Sequence, residues 1–240
     1  MISETKEQSS SSTKPVIVFS ALYLIGGAFY FIRDLNIEFV IYIVVILGVF
    51  GLLFGTLLTT KFPTYLLWLV SIWGLLHVLG GAVQTPDGVL FAYRIYPFID
   101  QGGDFYVLKY DQVVHAYLYG VITLMFFHIV RRTLGAQGPL WLLILIAMMA
   151  SLGVSAMNEI MEFLISVALP RNGVGGYENT SLDLIANFTG AAIAASVLAI
   201  QRQRYAFRYI KSAYVDDRMK ANYAPYISTP AKEPERETVS

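Results

Sequence analysis

The amino-acid sequence predicts an all-α, polytopic membrane helix bundle of about six transmembrane helices, with both termini on the cytoplasmic side. Three observations carry this expectation. Of the 240 residues, 56% are hydrophobic and only 14% charged, whereas soluble domains carry about 25% charged residues. Six stretches each come close to the roughly 20 apolar residues that a spanning helix needs. Lys and Arg crowd alternate connections between those stretches, the bias that sets membrane orientation. The chain has no cysteine, which excludes disulfides and thiolate metal sites. Its formal net charge of zero argues against nucleic acid as a partner.

The elements follow in order. Residues 1–14 are polar and Ser-rich, without the apolar core and small-residue cleavage site of a signal peptide, and are expected to form a disordered cytoplasmic tail. The expected spans are Pro15–Ile32 and Ile37–Leu58, an N-terminal pair within 15–60, and then Tyr65–Val83, Leu108–Val130, Pro139–Leu169 and Ser181–Ile200, a four-span core within 64–203. Breakers separate them at Lys61-Phe62-Pro63, Gly135 to Pro139 and Pro170 to Gly176. The fifth span is long enough either to project from the membrane or to break near Gly153. Between spans three and four, Gln84–Val107 mixes Tyr93, Tyr96, Phe98 and Phe105 with Gly and Asp. This pattern suits a cap or short hairpin over the helices, and equally an interfacial aromatic belt. Residues 204–240 read as a basic juxtamembrane segment followed by a polar, Pro-containing, disordered cytoplasmic tail.

With the N-terminus inside, the inner side receives Lys6, Lys14, Lys61, Arg131, Arg132, Arg202, Arg204, Arg208 and Lys211, and the outer side only Arg33, Arg94, Lys109 and Arg171. Tyr205–Tyr223, where basic residues alternate with Tyr and Phe, suits either the anionic inner leaflet or a solvated extension. The expected location is the cell membrane, multi-pass, with membrane lipid as the surrounding partner.

Ionisable residues interrupt the apolar runs at one level. Asp111 and His115 are four apart near the outer start of span four and share a helical face. Asn158, Glu159 and Glu162 lie in the outward half of span five, and Asp183 and Asn187 repeat the four-residue spacing at the start of span six. His77 lies in the outward half of span three, among Gly74, Gly80 and Gly81. Charges at membrane depth cost roughly 2.5–3.5 kcal/mol each on insertion scales and face a bundle interior or a polar cavity. Plainer readings exist for several of them. Asp183 fits the N3 place of a capping box begun by Thr180, Asp111 suits the first turn of a helix, and His77 alone suits a hydrogen-bonded packing role. His128, beside Arg131 and Arg132, reads as interfacial. Gly190, Ala191, Ala194 and Ala195 follow Asn187 at small-residue spacing, which lets another helix approach closely and turns Asp183 and Asn187 inward.

The series Tyr110-Asp111-x-x-x-His115, Asn158-Glu159-x-x-Glu162 and Asp183-x-x-x-Asn187-x-x-Gly190, with Leu76-His77-x-x-Gly80-Gly81 upstream, resembles the YjdF-like family of uncharacterised membrane proteins. The Asp-x-x-x-His and Asp-x-x-x-Asn-x-x-Gly elements are similar, more widely, to the VanZ-like proteins. The resemblance covers spans three to six, with the first two spans as an N-terminal addition. It implies an outward-facing polar pocket and, through the VanZ-like link, lipid or cell-envelope chemistry. Two positions depart from the pattern. Gln112 stands where these families often carry Lys or Arg, and Asn158 where an aromatic is expected.

The candidate catalytic residues are therefore Asp111, His115, Glu159, Glu162, Asp183 and Asn187, with His77 and Asn158 beside them. An enzyme acting on lipid or polyprenyl-phosphate head groups would use His115, oriented by Asp111, as base or nucleophile, because imidazole exchanges protons near neutral pH. Glu159, Glu162 and Asp183 would hold a divalent cation that neutralises phosphate charge, or some carboxylates would stay protonated. The alternative is a cation- or lipid-binding protein, in transport or as a receptor, without catalysis; the inner halves of the spans offer no matching polar path. No His-Glu-x-x-His, Glu-x-x-His, Gly-x-Ser-x-Gly or phosphate-loop motif is present. The orientation is testable by cysteine labelling of a chain that has none of its own. Cysteines replacing Gly103 and Gly175 should react with impermeant thiol reagents in intact cells, and preferential labelling at Gln137 would reverse the topology.

Overall fold

The computed structural model describes residues 2–33, 37–55, 60–86, 88–103, 105–133, 139–168 and 176–213. The chain forms two compact units, Met1–Leu198 and Ala199–Ser240. Its helices are α1 (Ile2–Arg33), α2 (Ile37–Gly55), α3 (Thr64–Ala82), α4 (Tyr110–Thr133), α5 (Leu140–Ala168) and α6 (Tyr177–Ala213). Between α3 and α4 lie β1 (Gln84–Thr85), β2 (Gly88–Val89), a 3₁₀ turn at Leu90–Ala92, β3 (Arg94–Asp100) and β4 (Tyr106–Lys109). Among the described residues, five helical segments can cross a membrane by length and composition: Thr13–Arg33, Thr64–Ala82, Tyr110–Thr133, Leu140–Ala168 and Tyr177–Gln201. The 19-residue α2 occupies the place of the second expected span. The molecule is a polytopic helical membrane bundle.

Its surface is inverted relative to a soluble protein. Large apolar side chains such as Leu22, Phe29, Leu145, Met157, Phe163, Ile185 and Phe188 are exposed, while Ser20, Ser71, Thr123, Ser151, Ser155, Glu159, Asp183 and Asn187 are buried. Lipid solvates the first set, so the polar groups are driven inward to find partners.

Two boundaries differ materially from the sequence expectation, and α5 takes the unbroken one of the two forms open to the fifth span. Helix α1 begins at Ile2, inside the stretch read as an unstructured tail, and no Gly or Pro interrupts that stretch before Pro15. Helix α5 runs unbroken through Gly153 for 29 residues, about 44 Å. That exceeds the roughly 30 Å apolar core of a bilayer. Helix α6 begins at Tyr177 rather than Ser181, with Thr180 N–H already bonded to the Gly176 carbonyl at 3.1 Å. Asp183 is thus two turns inside the helix, and the capping-box reading fails. Gly175, Gln137 and Arg171 lie outside the described residues, as does the chain beyond 213.

Close approach and hydrogen bonds join a core of buried apolar side chains, Phe31, Phe50, Leu66 and Trp73 among them, in tying the helices together. Between α1 and α3, the Ser20 and Ser71 hydroxyls meet at 2.6 Å, and the Tyr23 hydroxyl end lies against Gly74. Helix α4 is anchored to α3 by Tyr110 and Tyr117, whose hydroxyls donate to the Leu76 and Leu69 carbonyls at 2.9 and 3.1 Å. On its other side, the Ser151 hydroxyl of α5 donates to the Tyr119 carbonyl at 2.9 Å. Against α6 the backbones touch. A Cβ on Gly190 would overlap the Ala116 carbonyl oxygen, and one on Gly120 would stand 3.2 Å from the Gly190 carbonyl.

The segment between α3 and α4 folds into two antiparallel hairpins, as the first of its two sequence readings anticipated. In the second, Arg94 lies over the Tyr106 ring at 4.9 Å and donates to the Gly103 carbonyl at 3.1 Å. Gly102 and Gly103 turn it with φ of 85° and 57°, a backbone region open to glycine at little cost. Strand β4 runs directly into α4, and Gln112 clamps the junction. Its Nε2 donates to the Tyr106 carbonyl at 2.9 Å while its Oε1 accepts from Lys109 N–H at 3.1 Å. This buried clamp is the role Gln112 plays where the related pattern carries a basic residue.

The Gly190 contact generates a stability prediction. Gly190→Val should lower Tm in detergent by the equivalent of about 1–3 kcal/mol or more, because backbone rather than a flexible side chain must move. Gly153→Ala, where an added Cβ meets nothing within 4 Å, should leave Tm near wild type. Equal midpoints for the two variants would contradict the packing described.

Candidate functional site

Helices α4 and α6 enter, and α5 ends, at the hairpin end of the bundle, so the polar residues of all three meet there. His115, Glu159, Asp183 and Asn187 lie roughly 8–15 Å along the helix axes from that end. The four-residue spacing in α4 aligns Asp111 with His115, and in α6 it aligns Asn179, Asp183 and Asn187. In α5 the same spacing aligns Ser151, Ser155 and Glu159.

His115, 12% exposed, is the hub. Its Nδ1 lies 3.0 Å from Asn187 Oδ1. The Asn187 amide nitrogen donates to Ser155 Oγ at 2.7 Å and to Glu159 Oε1 at 3.2 Å. In this orientation the amide nitrogen serves two oxygens at once, an ionised Glu159 among them. Its carbonyl oxygen can only accept, and His115 Nδ1 therefore carries the hydrogen. Nε2 is left to face Asp111 Oδ1 at 3.6 Å and Glu162 Oε1 at 3.9 Å. Both separations exceed hydrogen-bonding range. Glu159 stands on the opposite edge of the ring, with Oε1 3.7 Å from Nδ1.

A second amide layer surrounds these groups. Asn158 Nδ2 donates to Glu162 Oε1 at 2.7 Å, and Asn179 Nδ2 donates to Asp183 Oδ2 at 2.6 Å. Lys109 Nζ donates to Asn179 Oδ1 at 3.3 Å, which brings a cation to the rim. Asp183 and Asn187 are fully buried and Glu159 is 6% exposed. Among the described residues, Asp183 Oδ1 and Glu159 Oε2 are buried without a hydrogen-bond partner. Two groups, Asp111–His115–Asp183 and His115–Glu159–Glu162, have ligand atoms all within 4.8 Å of one another.

The structure thus brings together Asp111, His115, Glu159, Glu162, Asp183 and Asn187, with Asn158 bonded to Glu162. His77 belongs to neither group, and its ring lies against Trp73 and Phe91 at centroid distances of 5.4 and 5.1 Å. His128 bonds the Thr60 carbonyl at 3.0 Å and lies against Phe62, at the other end of α4. Sequence reasoning missed Ser155, Asn179 and Lys109 as members of the site. The spacing could have found the first two, since each lies one turn from a residue already singled out.

Fold and site together define a polytopic membrane protein with an enclosed His–carboxylate–amide centre at one end of its bundle. A family model described as predicted membrane protein (DUF2238) matches residues 15–204, and the chain belongs to that family. The YjdF-like resemblance is thereby established, since the two names denote one family. The match also takes in the first two spans, so these belong to the family's own architecture and are not an addition to it. No curated protein and no solved structure matches the chain.

Proposed function

We propose that the chain is a membrane enzyme whose His–carboxylate centre acts on a phosphate-bearing lipid head group. The observation that carries this reading is the state of His115. With Nδ1–H committed to Asn187, Nε2 is the ring nitrogen that faces the carboxylates at the end of the bundle and can exchange a proton there. Under the orientation read from Lys and Arg, that end meets the outer leaflet. Exposed apolar residues, Ile160 and Phe163 on α5 and Ile185 and Phe188 on α6, flank the inward Glu159, Glu162, Asp183 and Asn187. A lipid can therefore approach laterally, its chains along those faces and its head group at the centre.

The reaction class that suits these groups is phosphate-ester hydrolysis or transfer. A water or alcohol oxygen attacks phosphorus, and the ester bond to the leaving oxygen breaks. The proton removed from the nucleophile is taken by Nε2 or by the free oxygen of Glu159, and the leaving oxygen is protonated in turn. Lys109 at the rim supplies positive charge to a guest phosphate. A second reading, cation binding without turnover, is favoured by the unpartnered oxygens of Asp183 and Glu159.

Mass spectrometry of extracted lipids separates the two. Loss of a proton-transferring group lowers turnover roughly 10²–10⁴-fold. Strains carrying His115→Ala or Glu159→Gln should therefore accumulate a phospholipid or polyprenyl-phosphate species that wild type consumes. Lipid profiles identical to wild type in both strains, with the protein present in the membrane, would reject the enzyme reading.

A further inference from the structure

We infer that Asp111, His115, Glu162 and Asp183 form a binding site for one divalent transition-metal ion. The first argument is the arrangement around Nε2. Nε2 faces two carboxylate oxygens at 3.6 and 3.9 Å, an arrangement that calls for positive charge, carried by a second proton on the ring or by a metal ion. Those distances are longer than hydrogen bonds from a protonated ring would set, and they leave room for an ion between the groups. Around a metal bound at about 2.0–2.2 Å, neighbouring ligand atoms stand about 3–3.5 Å apart. Within Asp111–His115–Asp183 the ligand atoms lie within 4.8 Å of one another, so closing by about 1 Å or more brings them onto one ion, with Glu162 approaching from the adjoining group.

The second argument is independent of the first. Asp183 is fully buried, shares a ligand group with Asp111 and His115, and has an oxygen, Oδ1, without a hydrogen-bond partner among the described residues. Leaving a buried acceptor unmet costs about 1–3 kcal/mol, and an oxygen aimed at a group of carboxylates and an imidazole is one that a bound cation would satisfy.

The third argument is the outer layer. Three asparagines, each on α5 or α6, hold three of the proposed ligands: Asn187 fixes His115, Asn179 fixes Asp183 and Asn158 fixes Glu162. Ligand-orienting hydrogen bonds of this kind are what metal centres require of their surroundings. Glu159 falls outside the proposed set because it faces the Nδ1 edge of the ring, whose hydrogen Asn187 already holds. One imidazole among carboxylates selects ions of the Mn²⁺, Fe²⁺ or Zn²⁺ class over Ca²⁺ and Mg²⁺. With Nε2 on the ion, proton transfer falls to Glu159 Oε2. The inference rests on the site described above and not on its substrate.

The test uses the full-length protein in detergent, stripped with chelator and titrated with Mn²⁺ alone. Loss of the free-ion electron paramagnetic resonance signal should show about one high-affinity site, and Zn²⁺ should displace the Mn²⁺. Binding should disappear in Asp183→Asn. It should weaken roughly 10–100-fold in Asn187→Ala, which removes only an orienting bond. Wild type that binds neither ion overturns the inference without recourse to any variant. So does an Asp183→Asn variant that binds as wild type does, because the ion then sits elsewhere. A protein that binds Mn²⁺ while lipid profiles stay unchanged keeps the metal site and loses the enzyme reading; the reverse result loses only the metal.

Discussion

One amide holds the candidate site in its present form. Asn187 uses both ends at once, accepting from His115 while donating to Ser155 and Glu159, and so links α4, α5 and α6 at a single buried point. In a low-dielectric interior each unmet polar group carries a desolvation penalty. The three helices can therefore bring a histidine and four acids together only around a residue that satisfies donors and acceptors together. The direction of that amide decides which imidazole nitrogen bears hydrogen. It thereby decides that Nε2, rather than Nδ1, faces Asp111 and Glu162.

Such an amide is useful only if the helices come close enough for it to reach. The overlap that a Cβ on Gly190 would make with the Ala116 carbonyl shows how near α6 lies to α4 one turn below Asn187. Helix α4 is held from two other directions by hydroxyls bonded between backbone and side chain: its own Tyr110 and Tyr117 reach α3, and Ser151 of α5 reaches Tyr119. Between apolar helices in lipid there is little hydrophobic drive to associate, so small-residue contact and hydrogen bonds of this kind supply the packing. The hairpins add a clamp at the mouth, with Gln112 locking β4 to the start of α4 and Lys109 reaching across to Asn179.

Much of this was legible in the sequence because membrane burial leaves few ways to place a charge. Apolar run length disclosed the helices. The four-residue spacing of Asp111 with His115, and of Asp183 with Asn187, disclosed the shared faces. What stayed hidden depends on helix phase and side-chain direction. The start of α6 at Tyr177 moved Asp183 from a capping position to the interior, and it made Asn179 its partner. His77 carried the same signal as His115, an ionisable residue among glycines at the right depth, yet its ring lies tilted and edge-on against Trp73 and Phe91. Periodicity reports which face a residue occupies, not which neighbour from another helix meets it. Ser155 was passed over for a related reason: its four-residue spacing from Glu159 pointed to it, but a serine among apolar residues is ordinary in a membrane helix.

The central claim is that Asn187 holds the hydrogen on His115 Nδ1 and leaves Nε2 to the carboxylates. Nitrogen-15 NMR of histidine-labelled protein reads this directly, with the His115 resonances assigned by their loss in His115→Gln. The account predicts a protonated Nδ1 in chelator-treated and Mn²⁺- or Zn²⁺-loaded protein alike, and an Nε2 shift that responds to Zn²⁺. A His115 whose neutral form carries its hydrogen on Nε2, with Nδ1 bare, would contradict it.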